Sequence, residues 1–152
     1  MSVSTGVTGQ AATDGLTTSD GRRPRVAIVG GTPSGAMVAT VLCDQFGCTP
    51  LNTRTGESVL ALLRRDIPLD MVVMDLMIAD MDGFVAVQLI RALGARGAMP
   101  IVALVDDRAA MTRVRTAGFA GTVVKPYSPR ELYAAMHAAL GATAARTVTG
   151  QA

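Results

Sequence analysis

One lysine, one aspartate and a pair of glycines stand where chemistry could be done. Lys125 is the only lysine, since thirteen of the 14 basic residues are arginines. It follows Val123 and Val124 and precedes Pro126, so a short, stiff loop holds its ammonium. Asp75 directly follows Met71, Val72, Val73 and Met74, so it faces a crevice with little water. A carboxylate there needs a cation, and Lys125 can be one, either directly or through a shared anion. Spacing alone leaves two readings open: a working polar site, or a salt bridge that closes strand ends. Gly30-Gly31 lies between RVAIV at 25–29 and Thr32-Pro33. A glycine-rich turn between strand and helix can cradle phosphate with backbone N–H groups. GGTPSG, however, fits neither GxGxxG nor GxxxxGK(S/T), and Pro33 removes one donor.

These residues need elements to position them. RVAIV reads as a buried strand, and Thr32-Pro33 as the start of a helix with Thr at the N-cap and Pro in the first turn. Met37, Val38, Val41 and Leu42 recur at helical spacing, and Gly47 stops that helix. Residues 49–53 form a weaker strand. Val59, Leu60, Leu62 and Leu63 mark a second helix bounded by Pro68. MVVM at 71–74 is a central strand; residues 76–83 are a loop closing in an Asp82-Gly83 turn. Phe84, Val87, Leu89, Ile90 and Leu93 give a third helix, and residues 101–105 a fourth strand. Asp106 or Asp107 caps a fourth helix that carries Met111 and Val114 and ends at Gly118. Residues 122–124 are a fifth strand. Ser128-Pro129-Arg130-Glu131 is a capping box for a fifth helix lined by Leu132, Met136 and Leu140.

Five strands alternating with five helices predict an α/β fold, a doubly wound five-stranded parallel sheet. Ligand chemistry in such sheets sits at the carboxyl ends of the strands. Gly30-Gly31, Asp75 and Lys125 all fall there.

Composition limits the alternatives. The chain has 152 residues, 49% of them apolar, enough for one domain with a core. No apolar run reaches the ~18 residues that span a bilayer. The first residues lack the basic and apolar regions of a secretory signal, so a cytoplasmic location is expected. A formal charge of +2 is too balanced to imply nucleic acid as a partner. Cys43 and Cys48 are too few for a disulfide scaffold, and one histidine cannot complete a usual zinc set. Residues 1–24, half of them Ser, Thr or Gly, read as a disordered tail. Residues 25–140 read as the domain and 141–152 as a flexible C-terminal tail, too short and polar to fold as a DNA-binding unit.

The core resembles the receiver domain of two-component response regulators, the CheY-like family. The resemblance is carried by MVVMDLMIADMDGF at 71–84, PIVAL at 100–104 and AGFAGTVVKPYSPREL at 117–132. It implies a flavodoxin-like (βα)5 fold, a phosphorelay role and no ordinary enzyme activity. Asp75 then occupies the phospho-acceptor position and Lys125 the phosphate-contacting position. The family holds Mg²⁺ through two acids after the first strand, the acceptor Asp, and a carbonyl that here belongs to Met77. A hydroxyl residue ends the fourth strand, and an aromatic on the fifth strand responds to it.

The chain departs from that pattern. Gly30 and Gly31 replace the acidic pair, Val105 the hydroxyl residue and Thr122 the aromatic. On the resemblance, three carboxylates and one ammonium shrink to one of each. Mg²⁺ gives up water reluctantly, so weak binding at most is expected and no cofactor is needed. Phosphoryl transfer relies on cations at the transferring oxygens, so slow or absent phosphorylation follows. Asp80, Asp82 or Asp106 are the candidates for substitute metal ligands. Asp106 could also compete with Asp75 for Lys125, although a helix N-cap is its plainer role.

The expected function is therefore a signalling protein that works by protein–protein contact with a histidine kinase, a phosphotransferase or another signalling protein. A working phospho-acceptor at Asp75 is the alternative. A pseudo-receiver that binds an anion or nucleotide near Gly30-Gly31 and Lys125 is a third reading. The partner face implied by the resemblance carries Arg108, Met111, Arg115, Phe119, Thr122 and Tyr127. His137 and Tyr133 are expected to be surface and packing residues.

Overall fold

A computed structural model describes the backbone of residues 15–151 and the side chains of residues 15–142. Strands β1 (Arg25–Val29), β2 (Thr49–Arg54), β3 (Met71–Asp75), β4 (Ile101–Val105) and β5 (Gly121–Val124) form one sheet in the order β2-β1-β3-β4-β5. All neighbouring pairs are parallel. The helices are α1 (Pro33–Gln45), α2 (Gly56–Arg64), α3 (Gly83–Arg91), α4 (Met111–Thr116) and α5 (Pro129–Gln151). This is the doubly wound (βα)5 architecture expected from the sequence. Among the described residues no helix is long and apolar enough to cross a membrane.

Strand residues alternate between two cores, as the pleat requires. Ala27, Val72, Met74, Ile101 and Ala103 face α2, α3 and α4. Val26, Ile28, Val73, Val102 and Val123 face α1 and α5. Burying each Val, Ile or Met side chain is worth about 1.5–3 kcal/mol, so register is strongly specified. The caps follow the sequence signals. Thr32 accepts from Gly35 N at the start of α1, and Ser128 and Glu131 exchange backbone bonds at the start of α5.

Ordered backbone extends on both sides of residues 25–140. Residues 15–24 are not simply tail, because Leu16 is buried and its N–H donates to the Phe46 carbonyl. Composition hid this anchor, since one leucine among Ser, Thr and Gly makes no pattern. At the other end α5 continues through Gly141 to Gln151, where a flexible tail was expected. The alanines there favour helix, and each of the two glycines, Gly141 and Gly150, costs only about 1 kcal/mol.

Two helices also differ in detail. The buried face of α1 is made of Ala36, Ala39 and Cys43, while Met37, Val38 and Val41 point outward. Asp107 rather than Asp106 caps the turn before α4. Its carboxylate accepts from Ala109 N, and a short 3₁₀ turn at Arg108–Ala110 precedes the helix.

Candidate functional site

The sheet order reverses direction between β2-β1 and β3-β4-β5, which opens a crevice beyond the carboxyl ends of β1 and β3. Asp75 is the last residue of β3, paired in register with Leu104 of β4. It is 6% exposed, and it is the buried charged residue of the domain. Its Oδ1 accepts from Met77 N at 2.9 Å, and its Oδ2 from Lys125 Nζ at 2.5 Å.

Lys125 follows β5 and is tethered to β4 by its own N–H, which donates to the Val105 carbonyl. Its ammonium also meets Asp106 Oδ1 at 3.1 Å. Burial pulls the Lys125 ammonium down, but hydrogen bonds from it to Asp75 and Asp106 outweigh burial and leave it above the ordinary range. It therefore stays charged at neutral pH. Asp106 thus competes for Lys125 and does not act as the helix cap, a role its neighbour Asp107 fills. With Asp106 included, two carboxylates and one ammonium share the site, a net charge of −1 rather than the zero counted from Asp75 and Lys125 alone.

Gly30 and Gly31 bring the end of β1 hard against β3. Both have positive φ, 80° and 81°, a conformation glycine adopts without penalty. A Cβ on Gly30 would lie 2.8 Å from the Asp75 carbonyl oxygen, and one on Gly31 would lie 3.0 Å from Asp75 Oδ2. The Gly30 N–H donates to the Arg54 carbonyl, and the Gly31 N–H donates to the Met77 carbonyl at 2.9 Å.

That geometry bears on magnesium. The Met77 carbonyl already accepts the Gly31 N–H, and both Asp75 oxygens are taken by donors. The residues at positions 30 and 31 contribute no carboxylate. Asp80 lies elsewhere, holding Gly56 N and Glu57 N at the start of α2; these bonds lower its carboxyl below the usual range. Asp82 Oδ1 caps α3 through Phe84 N. Among the described residues no three His, Cys, Asp or Glu side chains gather as a metal set. The residues present do not fit the magnesium site that the resemblance implies.

The remaining expected site residues are dispersed. Val105 is buried in the α2–α3–α4 core, and Thr122 is half-buried on β5. Arg108, Met111 and Thr122 come together in a groove of about 440 Å³ between α4 and α5. Arg115 is exposed but lies outside that groove. Phe119 is buried edge-on against Phe84, with ring centroids 6.1 Å apart, and packs in the core. Arg113 stacks over Phe84 at 4.1 Å. Tyr127 lines the crevice beside Asp75 instead. His137 is exposed and stacked on Tyr133.

That crevice continues into a pocket of about 480 Å³ between α1 and the Lys125-Pro126-Tyr127 loop. The sequence points to its polar end, at Gly30-Gly31 and Lys125, and not to its apolar chamber. The room comes from Gly35, Ala36 and Ala39, small residues on the inner side of α1, and smallness carries no chemical signature.

Comparisons with known proteins agree with the fold. The family model described as "Response regulator receiver domain" matches residues 26–137. A curated relative, the DNA-binding response regulator MtrA of Mycolicibacterium smegmatis, is 31% identical over 123 residues, 80% of this chain and 52% of its own length. The chain thus spans about half the length of that relative. Among solved structures, the receiver domain of sensor histidine kinase PA1611 from Pseudomonas aeruginosa PAO1 has a TM-score of 0.70 at 21% identity, covering 78% of this chain and 98% of that one. It carries a magnesium ion coordinated in its active site cleft. Chemotaxis response regulator CheY4 of Vibrio cholerae gives 0.67 at 20% identity, covering 76% and 98%.

Proposed function

The chain belongs to the response regulator receiver domain family, and from that premise we propose that it signals through protein–protein contact with little or no magnesium-dependent phosphorylation. Asp75 and Lys125 then act as a standing ion pair that holds the ends of β3 and β5 together. The observation that carries this reading is the Gly31 N–H on the Met77 carbonyl, which places a backbone donor where the family places a cation. Lys125, shared between Asp75 and Asp106, supplies the remaining positive charge. A histidine kinase or phosphotransferase is the kind of partner that recognises this fold, and here it would be bound without transferring a phosphoryl group to Asp75.

Intact-mass spectrometry after incubation with acetyl phosphate tests the reading, with and without Mg²⁺, and with Asp75→Asn as control. The expected result is no gain in mass under either condition. A rapid, Mg²⁺-dependent gain of one phosphoryl group, absent in Asp75→Asn, would overturn it. That result would establish the second reading, a working acceptor, which the intact pairing of Asp75 with Lys125 favours.

A further inference from the structure

The pocket beside Asp75 is of a size that takes a ligand. Its volume of about 480 Å³ falls within the roughly 300–1,000 Å³ of small-molecule sites. Its walls are apolar: Val29 and Leu104 from the sheet, Ala36, Val38 and Ala39 from α1, and the Tyr127 ring. The polar groups gather at one end, where Asp75, Asp106 and Lys125 meet. An apolar chamber with a few convergent polar groups is the usual anatomy of a small-molecule site.

The polar end selects by charge. Two carboxylates face one ammonium, and that ammonium is committed to both of them, at 2.5 and 3.1 Å. The glycine turn cannot serve as an anion cradle. Its two N–H groups are donated to Arg54 and Met77 carbonyls, and Pro33 has none. The N-terminus of α1 adds only about half a positive charge, less than the carboxylate excess, and Thr32 caps it. The anion or nucleotide of the third reading is therefore the wrong sign for this pocket. A compact apolar body bearing an ammonium fits both ends. Outside the mouth, exposed Met37 and Val41 continue the apolar surface of α1.

We propose that this pocket binds a small apolar amine, with its ring or chain between α1 and Leu104 and its cationic head at Asp106, the carboxylate in excess once Asp75 is paired with Lys125. The inference rests on the reading of Asp75 and Lys125 as a standing ion pair. The two fail separately, because acetyl phosphate tests that pair and binding in buffer free of Mg²⁺ and phosphate tests this pocket.

Naphthylmethylammonium is the probe, and naphthoate, with the same ring and the opposite charge, is its control. Amide nitrogen–proton correlation spectra of the full chain follow each titration. The expected result is saturable shifts at Gly35, Val38, Ala39, Lys125 and Tyr127, with the ammonium binding about tenfold or more tightly than the carboxylate. Gly35→Leu fills the pocket from an exposed helical position and should weaken the ammonium about tenfold. Val38→Ser shortens one wall at a half-exposed position and should act in the same direction if the first variant does not fold. No saturable shift, equal affinity for the two probes, or binding untouched by whichever of these variants folds would each overturn the proposal.

Discussion

A methyl group at position 30 would collide with the backbone of β3, and this sets how close the first strand end can come to Asp75. The Gly30 Cβ position lies 2.8 Å from the Asp75 carbonyl and φ is 80°. Gly21 has φ 86° and nothing within 4 Å, so it isolates the cost of conformation from the cost of contact. Gly21→Ala should lose about 1 kcal/mol of stability and Gly30→Ala about 2–3 kcal/mol, read as the difference in urea unfolding free energy. Equal losses would mean that the β1 turn relaxes away from Asp75 easily. At this scale the sequence is informative wherever a polar residue ends an apolar run. Asp75 and Lys125 stand out for that reason, and the structure brings them together. Asp106 stands between two roles, helix cap and competitor for Lys125, because Asp106 and Asp107 both match a cap signal and only the path of the chain decides which carboxylate turns to Lys125. The burial of Phe119 was not legible, since a family position says nothing about the Phe84 ring that covers it.

Arg91 shows how elements are held in place by one side chain. From the last turn of α3 its Nη1 donates to the Gly97 and Met99 carbonyls, and its Nη2 to the Gly118 carbonyl. It therefore ties α3 to the segments that enter β4 and β5, the two strands whose far ends carry Asp106 and Lys125. A guanidinium presents a planar fork of donors that an ammonium does not. Arg91→Ala should cost about 2–3 kcal/mol, and Arg91→Lys should recover less than half of that, measured by chemical unfolding. Full recovery by lysine would show that charge near the helix end matters and the fork does not. The elements themselves were legible because β-strands buried on both faces read as continuous apolar runs, and because Thr32, Asp82 and Ser128 cap where their types suggest. What was not legible is which face of α1 is inside. Its large apolar residues are outside and its alanines inside, since a helix lying close on a sheet needs small residues at the contact.

Two buried thiols couple the whole fold to pH. Cys43 and Cys48 are fully buried in the core that α1 and α5 share with the sheet. Burial pushes the Cys43 thiol up from 9.0 to about 12, and the Cys48 thiol to about 11. Their folded values exceed their unfolded ones, so the unfolded chain releases protons first as pH rises. The stabilising contribution is therefore complete below about pH 9 and is lost between there and about pH 11–12. Each thiol contributes a slope of about 1.4 kcal/mol per pH unit in that window. Lys125 acts in the same direction but later, since its ammonium lies above 10.5 in the folded protein and its contribution fades only beyond that. Urea unfolding free energy should thus fall steeply on the alkaline side while staying level near neutrality. In Cys43→Ala/Cys48→Ala the absolute stability drops because the cores lose volume, so the slope is the quantity to compare. That slope should flatten between about pH 9 and about pH 10 and persist above it, where Tyr127, raised above 10.0 by burial, and then the Lys125 pairing still titrate. A slope unchanged between about pH 9 and about pH 10 in the double variant would mean that the sulfur-lined core is indifferent to pH.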